Sequence, residues 1–323
     1  MSKEDAAHAV FPHILVVIPT RDRPVDLGRC LESLLQVAYP SWELLIVDQS
    51  DGDATLRMAE AYQDRLPKLT YRRTRERGLC RARNIGLQLA DTGVVAYLDD
   101  DCTIGPGWLA EVAHAFARHP AATLAFGSVY AAPHDWREQF VPVVAFEEER
   151  SVIGLFRQGD SGMGASMYLW PARSPHRHRF DVHLGPGTRW PAADDRDYAC
   201  RIIRSGETIV LTPAIRVCHH GARSLTDGAA RTLFRGSALA DGAMDMKMIR
   251  CGDGGSVARA LEWIRSYLTS VLSAFLTTGR PRGLGAVAMY MRGLVESFLL
   301  PVDRDRCLYL APRSAARRRS VTR

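Results

Sequence analysis

The 323-residue chain has no Cys-x-x-Cys pair among its seven cysteines, Cys30, Cys80, Cys102, Cys200, Cys218, Cys251 and Cys307. An odd, scattered set fits a reducing compartment. It argues against a disulfide framework and against a zinc site built on paired thiolates. No window reaches the ~18–20 consecutive apolar residues of a spanning helix. The opening stretch MSKEDAAHAVFPH has no apolar core of the kind a secretory leader carries, so the expected location is cytoplasmic. There is no GxxxxGK[ST] loop, and no GxGxxG follows the first apolar run. A P-loop NTPase and a simple dinucleotide-binding dehydrogenase both lose ground. Internal repeats are absent, and the one biased stretch is an Arg-rich C-terminus.

Composition is that of an ordinary globular protein, 46% hydrophobic and 24% charged. The net charge of +6 is unevenly placed: Ser256 to Arg323 carries twelve arginines against four acidic residues, which leaves the rest slightly acidic. Basicity confined to one end gives no case for nucleic acid as a partner of the main domain.

Apolar runs alternate with helical periodicity along the first hundred residues. His13 to Ile18, closed by Pro19, reads as a buried strand, and Arg23-Pro24 opens a helix with Leu27, Cys30, Leu31 and Leu34 on one face. Trp42 to Val47 is a second strand ending at Asp48, Ala54 to Arg65 a second helix, and Leu69 to Arg72 a shorter strand. Arg77 to Ala90 is a helix with a basic start, and Asp91-Thr92-Gly93 breaks it. Val94 to Leu98 is then a buried-type strand that runs into Asp99, Asp100 and Asp101. The alternation predicts an α/β fold with a mostly parallel sheet flanked by helices.

Ligands bind at the carboxyl ends of the strands in such sheets. Three groups fall there: Pro19-Thr20-Arg21, Asp48 with Gln49-Ser50, and the Asp99–Asp101 triplet. Adjacent carboxylates repel unless a cation or protons intervene, so the triplet suggests a hard divalent metal. Farther along, a Gly-rich turn at Gly159 to Gly164 leads into Ser166, Met167 and Trp170. Asp194-Asp195-Arg196-Asp197 opens a helix, and a strand ends in His219-His220. Carboxylates at a helix start also serve as ordinary caps. The last third holds two apolar, Arg-flanked helical stretches, Leu261 to Leu276 and Leu284 to Leu300. They suit either an anionic membrane surface or packing and dimerisation.

Five ordered motifs, ILVVIPTRDRPVDLGRCLESLL, LLIVDQSDGD, RGLCRARNIGLQLA, VAYLDDDCTIGPGWL and ADDRDYACRIIRSG, resemble family-2 glycosyltransferases of the GT-A fold over roughly residues 13 to 225. The resemblance implies a Rossmann-like sheet and inverting transfer of a sugar from a UDP-, GDP- or dTDP-linked donor to a glycan or lipid-linked acceptor, with Mg²⁺ or Mn²⁺. Residue by residue it puts Pro19, Thr20, Arg21, Asp48, Arg77, Arg83, Asp99 and Asp100 at the nucleotide-sugar, and Asp99, Asp101 and His219 at the metal. Asp195 becomes the catalytic base, with Asp194 standing where the family usually has Glu. Ser166, Met167 and Trp170 fall on the acceptor side.

The expected organisation is a flexible N-terminus (1–12), a catalytic domain (13–225), a helical extension (226–305) that binds membrane or a second subunit, and a basic tail (306–323). Two other classes share the features. A nucleotidyltransferase would use a similar acidic metal site but wants a Gly-rich basic loop after the first strand, and TRDRPVD is a poor one. A catalytically silent sugar- or membrane-binding module should have lost some of the acids.

Overall fold

The computed structural model describes residues 11–90, 93–176, 178–280 and 283–311. Asp91 and Thr92 of the expected helix break, the first ten residues of the expected flexible N-terminus, Arg282, and the tail from residue 312 lie outside them. The first half alternates as expected: β1 (Ile14–Thr20), α1 (Pro24–Leu34), β2 (Trp42–Asp48), α2 (Ala54–Glu60), β3 (Leu69–Arg73), α3 (Leu79–Leu89) and β4 (Val94–Tyr97). Then come β5 (Cys102–Ile104), α4 (Trp108–Arg118), β6 (Ala122–Ala131), and the short strands β7 (Gln139–Phe140), β8 (Arg150–Val152) and β9 (Met167–Leu169). The chain continues through α5 (Asp194–Arg204), β10 (Thr208–His219), β11 (Arg223–Ser224) and three helices, α6 (Ala229–Arg250), α7 (Gly254–Thr278) and α8 (Leu284–Phe298). It closes with the hairpin β12 (Val302–Asp303) and β13 (Leu308–Tyr309).

Among the described residues, nine strands form one sheet in the order β3-β2-β1-β4-β9-β6-β10-β5, with β8 also on β10. β1 to β4 are mutually parallel, whereas β9 runs antiparallel between β4 and β6. The inner parallel strands β1 and β4 are buried on both faces, so their sequences run apolar without alternating, whereas the edge strand β3 is largely exposed. In β1, Ile14, Val16 and Ile18 face a core shared with α1 and α4, while Leu15 and Val17 face the layer under α5 and α6.

β1 does not stop before Pro19; it runs on to Thr20, in register with Asp48. Backbone polarity explains the tolerance. The carbonyls of Thr20 and Val17 point to opposite sides, to Gln49 and Leu98. The missing Pro19 N–H therefore faces the β4 side, where the ladder has already ended at Tyr97. Thr208 to Leu211 and Ile215 to Cys218, expected as two strands, are one strand with a register shift between Thr212 and Arg216.

α6 is not separate from the sheet. Its Leu239, Ala240, Ala243, Met244 and Met248 fill the same apolar layer as Ala199, Ile202 and Ile203 of α5, so a boundary at 225 cuts through one core. Its Lys247, fully buried, donates to Asp181 at 2.6 Å and lies 2.7 Å from Asp197. Burial alone would raise Asp181, but the charge and hydrogen bond of Lys247 overcome it and hold the carboxyl below its ordinary value. Beyond α6 the packing thins. Trp263 stacks between Tyr267 and Tyr290 at 3.8 and 4.0 Å between ring centres, while Leu261, Leu268, Leu272, Phe275 and Leu276 stay exposed. The apolar face of α7 is wider than its contacts with α6 and α8 cover.

A buried ion pair stripped of one partner leaves an uncompensated charge, at a cost of ~3–5 kcal/mol. Lys247→Met is expected to lose that much stability in urea unfolding at neutral pH; a loss below ~1 kcal/mol would remove Lys247 from this role. Asp181 is depressed in the folded state, so its contribution is present above the ordinary carboxylate value of 3.8 and fades as pH falls through the lower folded value. The difference between the two proteins should narrow correspondingly in acid.

Candidate active site

The carboxyl ends of β1, β2, β4 and β10 share one rim of the sheet, because β10 is parallel to β6 and β6 to β4. A cleft of about 390 Å³ opens there, lined by Pro19, Thr20, Arg21, Gln49, the Asp99–Asp101 triplet and His219, among others. Its size suits a small organic ligand.

The three carboxylates have different surroundings. Asp100 accepts from the Thr20 hydroxyl at 2.7 Å and from Arg23 at 3.1 Å. Burial nevertheless raises it to about 6. Asp101 contacts the same Arg23 nitrogen at 3.0 Å and His219 Nε2 at 3.4 Å. Burial pushes Asp101 up as well, but the His219 hydrogen bond and the charges of His219 and Arg23 prevail and hold it at about 2. His219 is raised in return: burial lowers it, and Asp101 more than compensates. β5 sets this pairing by lying antiparallel to β10, with Cys102 opposite His219.

Asp101, His219 and Cys102 offer ligand atoms within 4.8 Å of one another. Burial keeps the Cys102 thiol well above its ordinary pKa, so it is a poor ligand beside a carboxylate and an imidazole. Gly221 completes the cradle: a Cβ there would lie 2.5 Å from His219 Nε2 and 2.8 Å from Asp101 Oδ2. A carboxylate-imidazole pair kept clear by glycine, with Asp99 alongside, fits a divalent cation of the Mg²⁺–Mn²⁺ type, and the imidazole favours Mn²⁺.

Below the acids lies Arg83, whose side chain is 1% exposed. It donates to Asp194 at 2.5 Å and to Asp99 at 3.2 Å, and its guanidinium sits 5.8 and 5.6 Å from the Tyr97 and Phe180 ring centres. Arg83 therefore does not face the cleft as the sequence reading expected. It ties the end of β4 to the start of α5. Burial drives the Asp194 carboxyl up to about 7 against the pull of Arg83. Asp194 is committed to this bridge, while Asp195, half-buried, accepts from the Gly164 N–H at 2.9 Å and the Arg196 N–H at 2.7 Å. Ala193, just before them, holds φ at 66°, a left-handed strain of ~1–3 kcal/mol that turns the chain into the helix.

The remaining expected residues are dispersed. Asp48 is fully buried, held by the Tyr71 hydroxyl at 2.5 Å and the Ser50 N–H at 2.8 Å, and Gln49 lines the cleft instead. Arg77 pairs with Asp51 beyond β2. Ser166 and Met167 are fully buried, Ser166 bonding to the Tyr168 hydroxyl at 2.9 Å. Trp170 is at the wrong end of the sheet. Leu169 is already opposite Val95 near the start of β4, and Trp170 packs edge-on to Phe116 with Arg173 over its face. Gln49 lines the cleft from the strand end where the sequence places it, whereas Arg23, expected only as a helix start, and Arg223, which no motif singles out, line it as well. The TRDRP stretch was the available signal for Arg23, because its spacing from Thr20 returns a basic side chain over the strand end.

Gly164 sits against Arg83, and a Cβ there would fall 2.3 Å from Nη2. Gly164→Ala is expected to displace the guanidinium and cost ~1–3 kcal/mol in urea unfolding. Unchanged stability together with unchanged activity would mean that the bridge has no role.

Residues 15–171 match the family model described as glycosyl transferase family 2. A glycosyltransferase of Haloferax volcanii, AglE, is 27% identical over 104 residues, which are 31% of this chain and 34% of that protein. Validoxylamine A glucosyltransferase of Streptomyces hygroscopicus subsp. jinggangensis is 31% identical over 122 residues, 37% of this chain and 29% of its own length. The matched segments thus span about a third of these curated relatives. The fold resembles that of S. aureus TarS (residues 1–349), with a TM-score of 0.57 at 16% identity, covering 88% of this chain and 82% of that one. TarS has also been solved with UDP and with UDP-GlcNAc. Residues 15–171 thus form a glycosyl transferase family 2 segment, carried on a GT-A-type fold.

Proposed function

We propose that this chain transfers a glycosyl group from a nucleotide-sugar to an acceptor hydroxyl, with inversion, in a single displacement. The observation that carries the reading is the convergence of Thr20, Arg21, Arg23, Asp99, Asp100, Asp101 and His219 around one cleft, with a further carboxylate, Asp195, next to the Asp194 that Arg83 bridges to Asp99. In this reading Asp195 takes the acceptor hydroxyl's proton as its oxygen bonds to the anomeric carbon. The bond from that carbon to the diphosphate breaks, and the negative charge departs with the nucleotide. Gly164 and Arg196 hold the two Asp195 oxygens by backbone N–H bonds, which fixes their direction without supplying a competing proton.

Arg21, Arg23 and Arg223 face the diphosphate and meet its growing charge. Asp101, Asp99 and His219 would hold Mg²⁺ or Mn²⁺, an ion that when bound offsets the same charge. Asp194 serves as a positioning residue through Arg83. Asp48 shapes the base pocket from beneath, through its hold on the loop at Ser50. The family matches and the UDP-GlcNAc complex of a fold neighbour support a UDP-sugar as the first donor to test. The catalytic unit, expected at 13–225, extends in this reading through α6, whose Lys247 anchors Asp197 of the catalytic helix.

No helix among the described residues is long and apolar enough to cross a membrane. The exposed Leu268, Leu272, Phe275 and Leu276 of α7, near Arg265 and Arg280, support a peripheral seat on the anionic inner surface of a membrane, beside a lipid-linked acceptor.

Asp195→Asn is expected to lower transfer by ~10²–10⁴-fold while calorimetric affinity for the nucleotide-sugar is kept. Equal loss of donor affinity would count against Asp195 as base. Asp101→Asn should instead abolish the stimulation of nucleotide-sugar turnover by Mn²⁺; stimulation that persists would move the metal elsewhere. Leu272→Glu with Leu276→Glu should release the chain from vesicles containing phosphatidylglycerol in flotation assays. If the pair instead converts a dimer to a monomer in sedimentation, the α7 face is a subunit contact.

A further inference from the structure

A second cavity, of about 430 Å³, shares no lining residue with the donor cleft. Its walls come from three separate places: the loop around His178 and Arg179, the end of α5 at Arg201 and Arg204, and the closing hairpin at Asp305 and Arg306. Four arginines thus converge on one space that holds a single carboxylate. Like charges gathered this way are costly unless something negative joins them.

The partners present do not neutralise them. Among the described residues, no carboxylate lies within 4.0 Å of Arg179, Arg204 or Arg306, although arginine–carboxylate pairs occur elsewhere. Arg201 is only 2% exposed, and its Nε is spent on Asp197 at 3.0 Å. Its Nη2 is buried with no hydrogen-bond partner. Leaving a guanidinium nitrogen unpaired in this way is costly, and it marks the cationic wall of the cavity as under-compensated by the carboxylates present. Arginine's planar fork matches phosphate oxygens better than any other side chain does.

We propose that this cavity is an anion site for a phosphate-bearing molecule, a phosphomonoester or diphosphate, bound by Arg201, Arg204, Arg306 and Arg179. The site is separate from the donor cleft and does not rest on the glycosyl-transfer reading. Asp195 and Arg204 are nine residues apart on α5, ~13 Å along its axis. The volume exceeds what a bare phosphate needs, so an organic group accompanies the anion, and the same headgroup chemistry occurs on an anionic lipid. The hairpin makes the third wall, so occupancy also clamps β12 and β13 against α5.

The test is calorimetry on the full chain in metal-free buffer, with inorganic pyrophosphate and with water-soluble dihexanoyl phosphatidic acid as probes. Arg201 is buried and its replacement risks misfolding, so the exposed pair is changed instead, as Arg204→Ala with Arg306→Ala. Both probes should bind wild type, and the double variant should weaken them about tenfold or more. Binding should survive Asp101→Asn, which alters only the donor cleft. A stronger signal from the lipid analogue supports the site and assigns the phosphate to a headgroup; a stronger one from pyrophosphate supports it and assigns a soluble ligand. No binding to wild type at millimolar concentration, or equal binding to the double variant with its fold intact by circular dichroism, overturns the proposal.

Discussion

The structure hangs on a buried guanidinium. Arg83, on α3, is excluded from water and bonded at once to Asp99 at the end of β4 and to Asp194 at the start of α5. Those elements are far apart in the chain, and each brings a carboxylate that burial makes costly to keep charged. The arginine offsets both, and in doing so fixes the distance between the donor acids and the helix that carries Asp195. Gly164 makes room for it, and the same glycine's N–H orients Asp195. A few atoms therefore couple the donor half of the site to the acceptor half.

A second buried cation does the equivalent work lower on the same helix. Lys247 of α6 holds Asp197 and Asp181, and Asp181 also accepts the N–H of Tyr309 from the closing hairpin. Helix α5 is thus pinned at its first turn by α3 and one turn later by α6. Breaking either ion set would leave carboxylates stranded in apolar surroundings. A catalytic carboxylate must stay within a few tenths of an ångström of its working position, and a doubly tethered helix provides that stiffness. α6 therefore shares the core of the sheet and α8 packs closely on α6 with Tyr290 fully buried, while α7 keeps apolar side chains turned outward.

Electrostatic division within the triplet follows from placement rather than residue type. Three aspartates in sequence have the same intrinsic chemistry, yet Asp100 is lifted by burial beside Thr20 and Asp101 is depressed by His219 and Arg23. The member held lowest is the one beside the imidazole and the Arg23 guanidinium.

Much of this was legible in the sequence. Apolar runs at every position marked strands covered on both faces, and their ends located Thr20, Asp48 and the triplet on one rim, because parallel strands share a direction. Arg83 and Asp194 were visible as residues, but not their partnership. Helical periodicity says which face a side chain lies on and not what is packed there, so a buried arginine reads like a solvated one. Trp170 failed for a related reason: adjacency to a Gly-rich loop in sequence does not say which way the next strand runs, and β9 carries it to the far end of the sheet. Sequence alone determined the fold class and the gathering of acids at the strand ends through local pattern. Tertiary structure decided which acids pair, which stand free and where the cations lie, because burial and ion pairing depend on contacts between residues far apart in the chain.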